Sequence, residues 1–249
     1  MTSTKQTVAL ITGANTGIGL AVTTKLAAHG FHVIIGSRNA EAGRQATASI
    51  AASGSQASSV QLDVTSDESI VAAVSWIERE FGVLDVLINN AGILIDYVPG
   101  FTEAYKGLST RDLFNQTFST NVIGAACLTE ACLPLLRKSE CPRLIFVSSR
   151  MGSLAEATNK STPFYSTDYK AYDSSKAALN MLCLQYARIL EDQGAMVNAV
   201  CPGLVNTKLT NHAMGESPEL GAKRIVELAM AEKGGATATF SDRDGMVPW

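Results

Sequence analysis

No block of basic residues and no acidic tail occurs in this chain of 249 residues, whose net charge is −3. Nothing therefore points to nucleic acid or an anionic membrane surface as a partner. The opening, Met1 to Thr7, lacks the apolar core of a signal peptide. No uninterrupted apolar run approaches the ~20 residues of a membrane span. The cysteines, at positions 127, 132, 141, 183 and 201, are odd in number and form no CxxC pair. Most fall in predicted helices or strands, so reduced core thiols and a cytoplasmic location are expected. No repeat, low-complexity segment or composition shift marks a linker, so a single domain over 1–249 is expected. No metal is expected.

What is present is apolar and regular. Apolar residues make up 46% of the chain, enough for a substantial core. Val8-Ala9-Leu10-Ile11 reads as a strand buried on both faces. It runs into Thr12-Gly13-Ala14-Asn15-Thr16-Gly17-Ile18-Gly19 and then a helix to about His29. Glycines there allow a sharp turn and close backbone approach, and the helix start offers free N–H groups to a pyrophosphate. A second strand, Phe31–Ile35, supplies the context that makes such a turn informative. At its end stands Gly36-Ser37-Arg38-Asn39. A carboxylate at that place grips the ribose 2′-hydroxyl of NAD, whereas arginine accommodates the 2′-phosphate of NADP. Arg38 therefore favours NADP(H).

Strands and helices continue to alternate. A helix near 41–53 precedes Ser59–Leu62, Asp63 and Val64, and one near 67–80 precedes Val83–Ile88, Asn89, Asn90, Ala91 and Gly92. A long helix is expected from Thr110 to before Cys141, with Asn121 in its interior as either a functional or a helix-bridging amide. Arg143–Val147 is another buried strand, ending in Ser148-Ser149-Arg150-Met151-Gly152. After a Ser/Thr-rich loop at 153–168 comes a helix to about Asp192, then the strand Met196–Val200, which ends in Cys201-Pro202-Gly203-Leu204-Val205-Asn206-Thr207. A helix near 218–232, a last strand at Ala236–Phe240 and a polar tail close the chain. This cadence predicts an α/β fold: a doubly wound parallel sheet of the Rossmann type, with about seven strands and helices on both faces. Ligands bind such sheets outside the carboxyl ends of the strands, where the unusual polar clusters fall.

The chemistry centres on Tyr172-Asp173-Ser174-Ser175-Lys176. Residues four apart share one helix face, which brings the phenol and the ammonium together. An ammonium about 4 Å away favours phenolate by ~4 kcal/mol at an effective dielectric near 20. That corresponds to roughly three pKa units, enough to poise a tyrosine for acid–base work.

Glycine-rich turn, Asn-Asn-Ala-Gly, helix asparagine, strand-end serine, Tyr-x-x-x-Lys and Pro-Gly occur here in order. In this the chain resembles the short-chain dehydrogenase/reductase family over its whole length, and its tail is similar to that of the NADPH-dependent carbonyl reductases. The resemblance implies that Gly13, Thr16, Gly17, Ile18 and Gly19 line the pyrophosphate. Asn15 and Arg38 would face the 2′-phosphate, and Asp63 and Val64 would hold the adenine. Asn89, Ala91 and Gly92 would support the adenosine-side ribose and the sheet centre. Pro202, Gly203, Val205 and Thr207 would cradle the nicotinamide. Tyr172 would protonate the carbonyl oxygen of a small-molecule substrate. Lys176 would bind the nicotinamide ribose and lower the tyrosine pKa, and Asn121 would anchor a water linked to Lys176. Of the adjacent serines, the family pattern selects Ser149 to donate to the substrate oxygen; strand alternation lets only one of the pair serve. The 22 residues between Ser149 and Tyr172 are more than compact members have, and the stretch 93–109 is also long. In the carbonyl reductases the first insertion covers the usual subunit interface, which favours a monomer over a homo-oligomer. Reduction of a ketone or aldehyde is the expected activity. A ketoreductase devoted to one aromatic or polyketide-like substrate, a lyase or epimerase, and a non-catalytic NADP(H) sensor are the alternatives.

Overall fold

A computed structural model of the chain describes residues 6–212 and 214–249. Its centre is an eight-stranded sheet in the order β3-β2-β1-β4-β5-β6-β7-β8. The first half alternates β1 (Val8–Thr12), α1 (Gly17–Ala28), β2 (His32–Ser37), α2 (Ala40–Ala51), β3 (Ala57–Gln61), α3 (Asp67–Phe81) and β4 (Val86–Asn89). All strand pairs up to β7 are parallel. The order reverses between β1 and β4, and that switch point opens a crevice at the carboxyl ends of the strands.

Strand periodicity sorts the core into two layers. Leu10, Ile34, Leu87 and Leu144 pack on one face with Ile77, Leu128 and Leu179. Their neighbours Ile11, Ile35, Ile88 and Ile145 pack on the other with Val22, Leu26 and Ile225. Helix starts are specified locally. Asn39 accepts a hydrogen bond from the Ala42 N–H to open α2, and Ser66 accepts one from the Ser69 N–H to open α3. Gly82, at φ +69°, ends α3.

The long helix expected after Thr110 is real but interrupted. It runs as α4 (Thr110–Phe118), a π-helical segment Ser119–Ile123, and α5 (Gly124–Leu136). Together Thr110–Leu136 is the one described helical run long and apolar enough to cross a membrane; Leu128, Cys132, Leu135 and Leu136 instead fill the core. β5 (Arg143–Val147) follows, then a short helix α6 (Leu154–Ala157) inside the stretch expected to be loop, and α7 (Lys170–Ile189). Beyond β6 (Met196–Val200) lie α8 (Pro218–Gly221) and α9 (Lys223–Ala229).

The end of the chain departs most from expectation. The last parallel strand is β7 (Thr239–Asp242), displaced from Ala236–Phe240, and an eighth strand, β8 (Gly245–Met246), pairs with it antiparallel. The tail is anchored, since Val247 is buried and the Trp249 ring lies 5.6 Å from Phe240. Burial of Val247 and the Trp249–Phe240 contact hold the tail to the core although residues 241–244 before them are polar.

Candidate active site

The turn between β1 and α1 is shaped by backbone. Gly13 and Gly17 have φ of +62° and +57°, which favour glycine. At Gly19 the constraint is distance, because a Cβ would stand 2.6 Å from the Gly13 carbonyl oxygen. The turn is braced from β4. The Thr12 hydroxyl accepts hydrogen bonds from the N–H groups of Asn90 (2.9 Å) and Ala91 (2.8 Å), and the Asn90 side chain donates to the Thr12 carbonyl at 2.7 Å.

A cleft of about 520 Å³ opens over this turn. Gly13, Asn15, Thr16, Gly17, Ile18 and Gly19 form its floor. Arg38, Val64, Ala91, Gly92 and Thr207 stand around it. Arg38 follows β2 directly and is exposed on the cleft wall.

Other expected positions lie elsewhere. Asn89 is buried and donates to the Thr129 hydroxyl at 3.0 Å, toward α5. Adjacent strand residues face opposite ways, and here it is Asn90 that meets the turn. Asp63 turns its carboxylate to Thr65, accepting from its N–H and hydroxyl at 2.9 and 2.7 Å. Burial opposes the Asp63 charge, but the Thr65 hydrogen bonds and the nearby Arg38 hold its carboxyl below the usual range. Its neighbours Leu62 and Val64 line the cleft in its place. Val205 is buried and bridges to Glu216; of the Pro202, Gly203, Val205 and Thr207 group, only Thr207 reaches the cleft. Thr12, Asn90, Tyr105 and Lys208 belong to the site or its brace without having been singled out from sequence. β4 is buried on both faces, so nothing local marks Asn90 over Asn89, or marks Tyr105 or Lys208.

At the end of β5 the two serines diverge. Ser148 is 2% exposed, and its hydroxyl donates to Asn180 Oδ1 at 2.6 Å. The Ser149 hydroxyl accepts from the Met151 N–H at 3.2 Å, and Ser149 is the serine near enough to the Tyr172 phenol to favour its charged form. α7 approaches this turn closely: a Cβ on Gly152 would lie 2.6 Å from the Lys176 carbonyl carbon and 2.7 Å from its Cβ. That contact sets Ser149 and Tyr172 side by side.

Tyr172 is 8% and Lys176 4% exposed. The Lys176 ammonium donates to the Val147 carbonyl at 2.9 Å and lies 5.5 Å from the Tyr172 ring centroid. Burial pushes the lysine down to about 8. Burial, followed by the neighbouring Cys201, pushes the Tyr172 phenol up, with Ser149 opposing in part. In the protein alone burial therefore leaves the phenol pKa raised, not lowered as expected beside an ammonium. The Coulomb estimate counted the attraction and omitted the desolvation, which disfavours both charged forms.

Asn121 sits in the π-helical segment and is 1% exposed. Its Oδ1 accepts from the Ile93 N–H at 2.8 Å, and its Nδ2 donates to the Ile93 carbonyl (2.9 Å) and the Ser175 hydroxyl (3.0 Å). Both amide hydrogens are thus engaged, and the side chain ties the loop after β4 to α7. It makes no side-chain hydrogen bond to Lys176 among the described contacts.

A family model described as short chain dehydrogenase matches residues 7–217. The chain belongs to the short-chain dehydrogenase family. It is 36% identical over 248 residues to a short-chain dehydrogenase/reductase, eupG, of a Phoma species, covering 92% of this chain and 87% of that one. Among solved structures it resembles salutaridine reductase from Papaver somniferum, with a TM-score of 0.82 at 25% identity, covering 96% of this chain and all of the other. The fold is shared as well with an NADPH-bound carbonyl reductase from chicken fatty liver, at a TM-score of 0.81 and 24% identity over 98% of this chain and all of that one.

As a short-chain dehydrogenase the protein is an oxidoreductase of a family that uses nicotinamide cofactors. The cleft fits such a group. Thr16 makes no side-chain cap on α1, so the first N–H groups of that helix face the cleft unblocked by a local oxygen. The close contact at Gly19 shows a turn packed to its limit without a side chain.

Proposed function

We propose that this short-chain dehydrogenase is a cytoplasmic, monomeric NADPH-dependent carbonyl reductase that converts a ketone or aldehyde to an alcohol. The observation that supports the reading is the approach of Tyr172 and Lys176 to the turn carrying Ser149 at the carboxyl end of β5, beside a cleft whose glycine-rich turn suits a dinucleotide. When bound, the cofactor supplies the hydride. Burial holds the Tyr172 phenol neutral, the form in which its Oη can give a proton to a carbonyl oxygen. The Ser149 hydroxyl stands beside that phenol, where it can donate to the same oxygen as negative charge develops. Lys176, fixed by the Val147 carbonyl, holds positive charge beneath the ring. Arg38, with no carboxylate at the tip of β2, favours the 2′-phosphorylated cofactor. Ile93, Leu94, Tyr105 and Leu209 give the cleft an apolar end suited to the carbon skeleton of a substrate.

The test is NADPH oxidation against aldehydes, ketones, quinones and dicarbonyls, with Tyr172→Phe alongside. Loss of the hydroxyl should lower kcat by about 10³-fold or more while NADPH still binds. Turnover that survives in Tyr172→Phe would remove the proton-donor assignment. Silence of the unaltered protein across the panel would sink the carbonyl-reductase reading.

A further inference from the structure

α7 carries the reactive tyrosine, yet its own N-cap is vacant of side-chain help. Tyr169 occupies that position with φ −110° and ψ 48° and makes no capping hydrogen bond. The cap comes from 75 residues upstream: Asp96 Oδ1 accepts from the Ala171 N–H at 2.9 Å, and Asp96 Oδ2 accepts from the Tyr172 N–H at 3.1 Å. These are the second and third N–H groups of the helix, the pair that a local capping oxygen ordinarily takes. A carboxylate there is also favoured by the positive end of the helix dipole.

Asp96 is 2% exposed, and its segment is held from several sides. Its carbonyl accepts from the Thr102 hydroxyl at 2.5 Å, and that hydroxyl in turn accepts from the Val98 N–H at 2.7 Å. Three residues earlier, Ile93 is clamped by the Asn121 amide. Ile93, Leu94 and Thr102 line the cleft. One short segment therefore forms cleft wall and, through a single side chain, holds the backbone of Tyr172.

We propose that Asp96 is a positioning residue that fixes the Tyr172 backbone relative to the cofactor cleft. Its two-pronged grip sets where the tyrosine stands against the wall built by Ile93, Leu94 and Thr102. Asn and Ser are poorer substitutes. An amide at 96 presents one acceptor and one N–H₂ donor to two N–H groups, and a serine hydroxyl is too short to span both. The role rests on the reading of Tyr172 as proton donor, so one arm of its test is independent of turnover.

That arm is amide hydrogen exchange in Asp96→Asn, an isosteric change that keeps the segment filled. Exchange at Ala171 and Tyr172 should accelerate at least about tenfold, with Leu179 to Cys183 unchanged. Unchanged exchange at both amides would overturn the grip itself. The second arm is kinetic. kcat should fall about tenfold in Asp96→Asn and up to about 10²-fold in Asp96→Ala, with KM for NADPH within about twofold. A wild-type kcat in Asp96→Asn with freely exchanging amides would show an anchor without a positioning role. A local cap separates the two roles further. Tyr169→Ser in the Asp96→Ala background should recover melting temperature but not kcat; recovery of both would reduce Asp96 to a helix cap. Should Tyr172→Phe retain turnover, the function fails while the exchange result still decides the grip.

Discussion

The two ends of the site are built on opposite principles. The end proposed to take the nucleotide is an open cleft shaped by backbone and lined by Gly13 and residues 15–19 of one turn. The reactive end is closed, with Tyr172 and Lys176 both buried and assembled from β5, α7 and the loop after β4. At the open end geometry sets what binds. At the closed end desolvation sets the protonation states, holding the phenol up and the ammonium down to about 8. A sequence motif can describe the first kind of site, but not the balance of the second.

The contrast can be broken most forcefully at Gly152, where α7 rests on the turn after Ser149. Gly152→Ala drives a methyl into the Lys176 backbone at 2.6 Å. Overpacking of this kind costs about 1–3 kcal/mol, and a displaced α7 should lower kcat by about 10²-fold. A crystal structure or melting curve indistinguishable from the parent would show that the contact relaxes freely. At the open end Arg38→Asp should act on affinity alone. A lost charge-assisted phosphate contact, worth about 1.5–3 kcal/mol, predicts that NADPH weakens at least about tenfold relative to NADH. Equal weakening of both cofactors would count against a phosphate-binding role.

The smallest effect is one of pH. Asp173, next to Tyr172, has a buried carboxylate oxygen without a hydrogen-bond partner. Burial, with Asp96 and Asp168 adding repulsion, raises its pKa from 3.8 to about 7. Between those values the folded protein holds a proton that the unfolded chain has released. Stability from this group is therefore full below about pH 4 and declines as pH rises toward 7. Asp173→Asn should flatten that slope in denaturant titrations at pH 5 and 7. A slope that persists in the variant would assign it to other groups.

Much of the frame was legible because its signals are local. β1, α1, β2 and α3 are marked by short apolar runs, a glycine-rich turn and capping residues, all within a few positions of the boundaries they set. The clustering of Thr16, Arg38 and Gly92 at one sheet end follows from parallel topology alone. What escaped the sequence depends on partners distant along the chain. Asn90 rather than Asn89 braces the turn because of the way β4 faces, and the run Val86-Leu87-Ile88, apolar and buried on both faces, does not reveal the orientation of the asparagines that follow. Asp96 meets the α7 N-terminus only in three dimensions. The π-helical segment around Asn121 holds no proline or glycine, and the Gly124 that follows it reads as an ordinary helix residue.

The edges of the sheet carry a consequence of another kind. An exposed edge strand is a template on which a second chain can polymerise. Here one margin is β3, whose Ala57, Ser58, Ser59 and Gln61 offer little apolar side chain to a newcomer. At the other margin the two residues of β8 turn back antiparallel and leave too short a ladder to extend. The short β8 thus covers the rim of a largely parallel sheet, and deleting the tail would leave β7, with its buried Phe240, as the new rim.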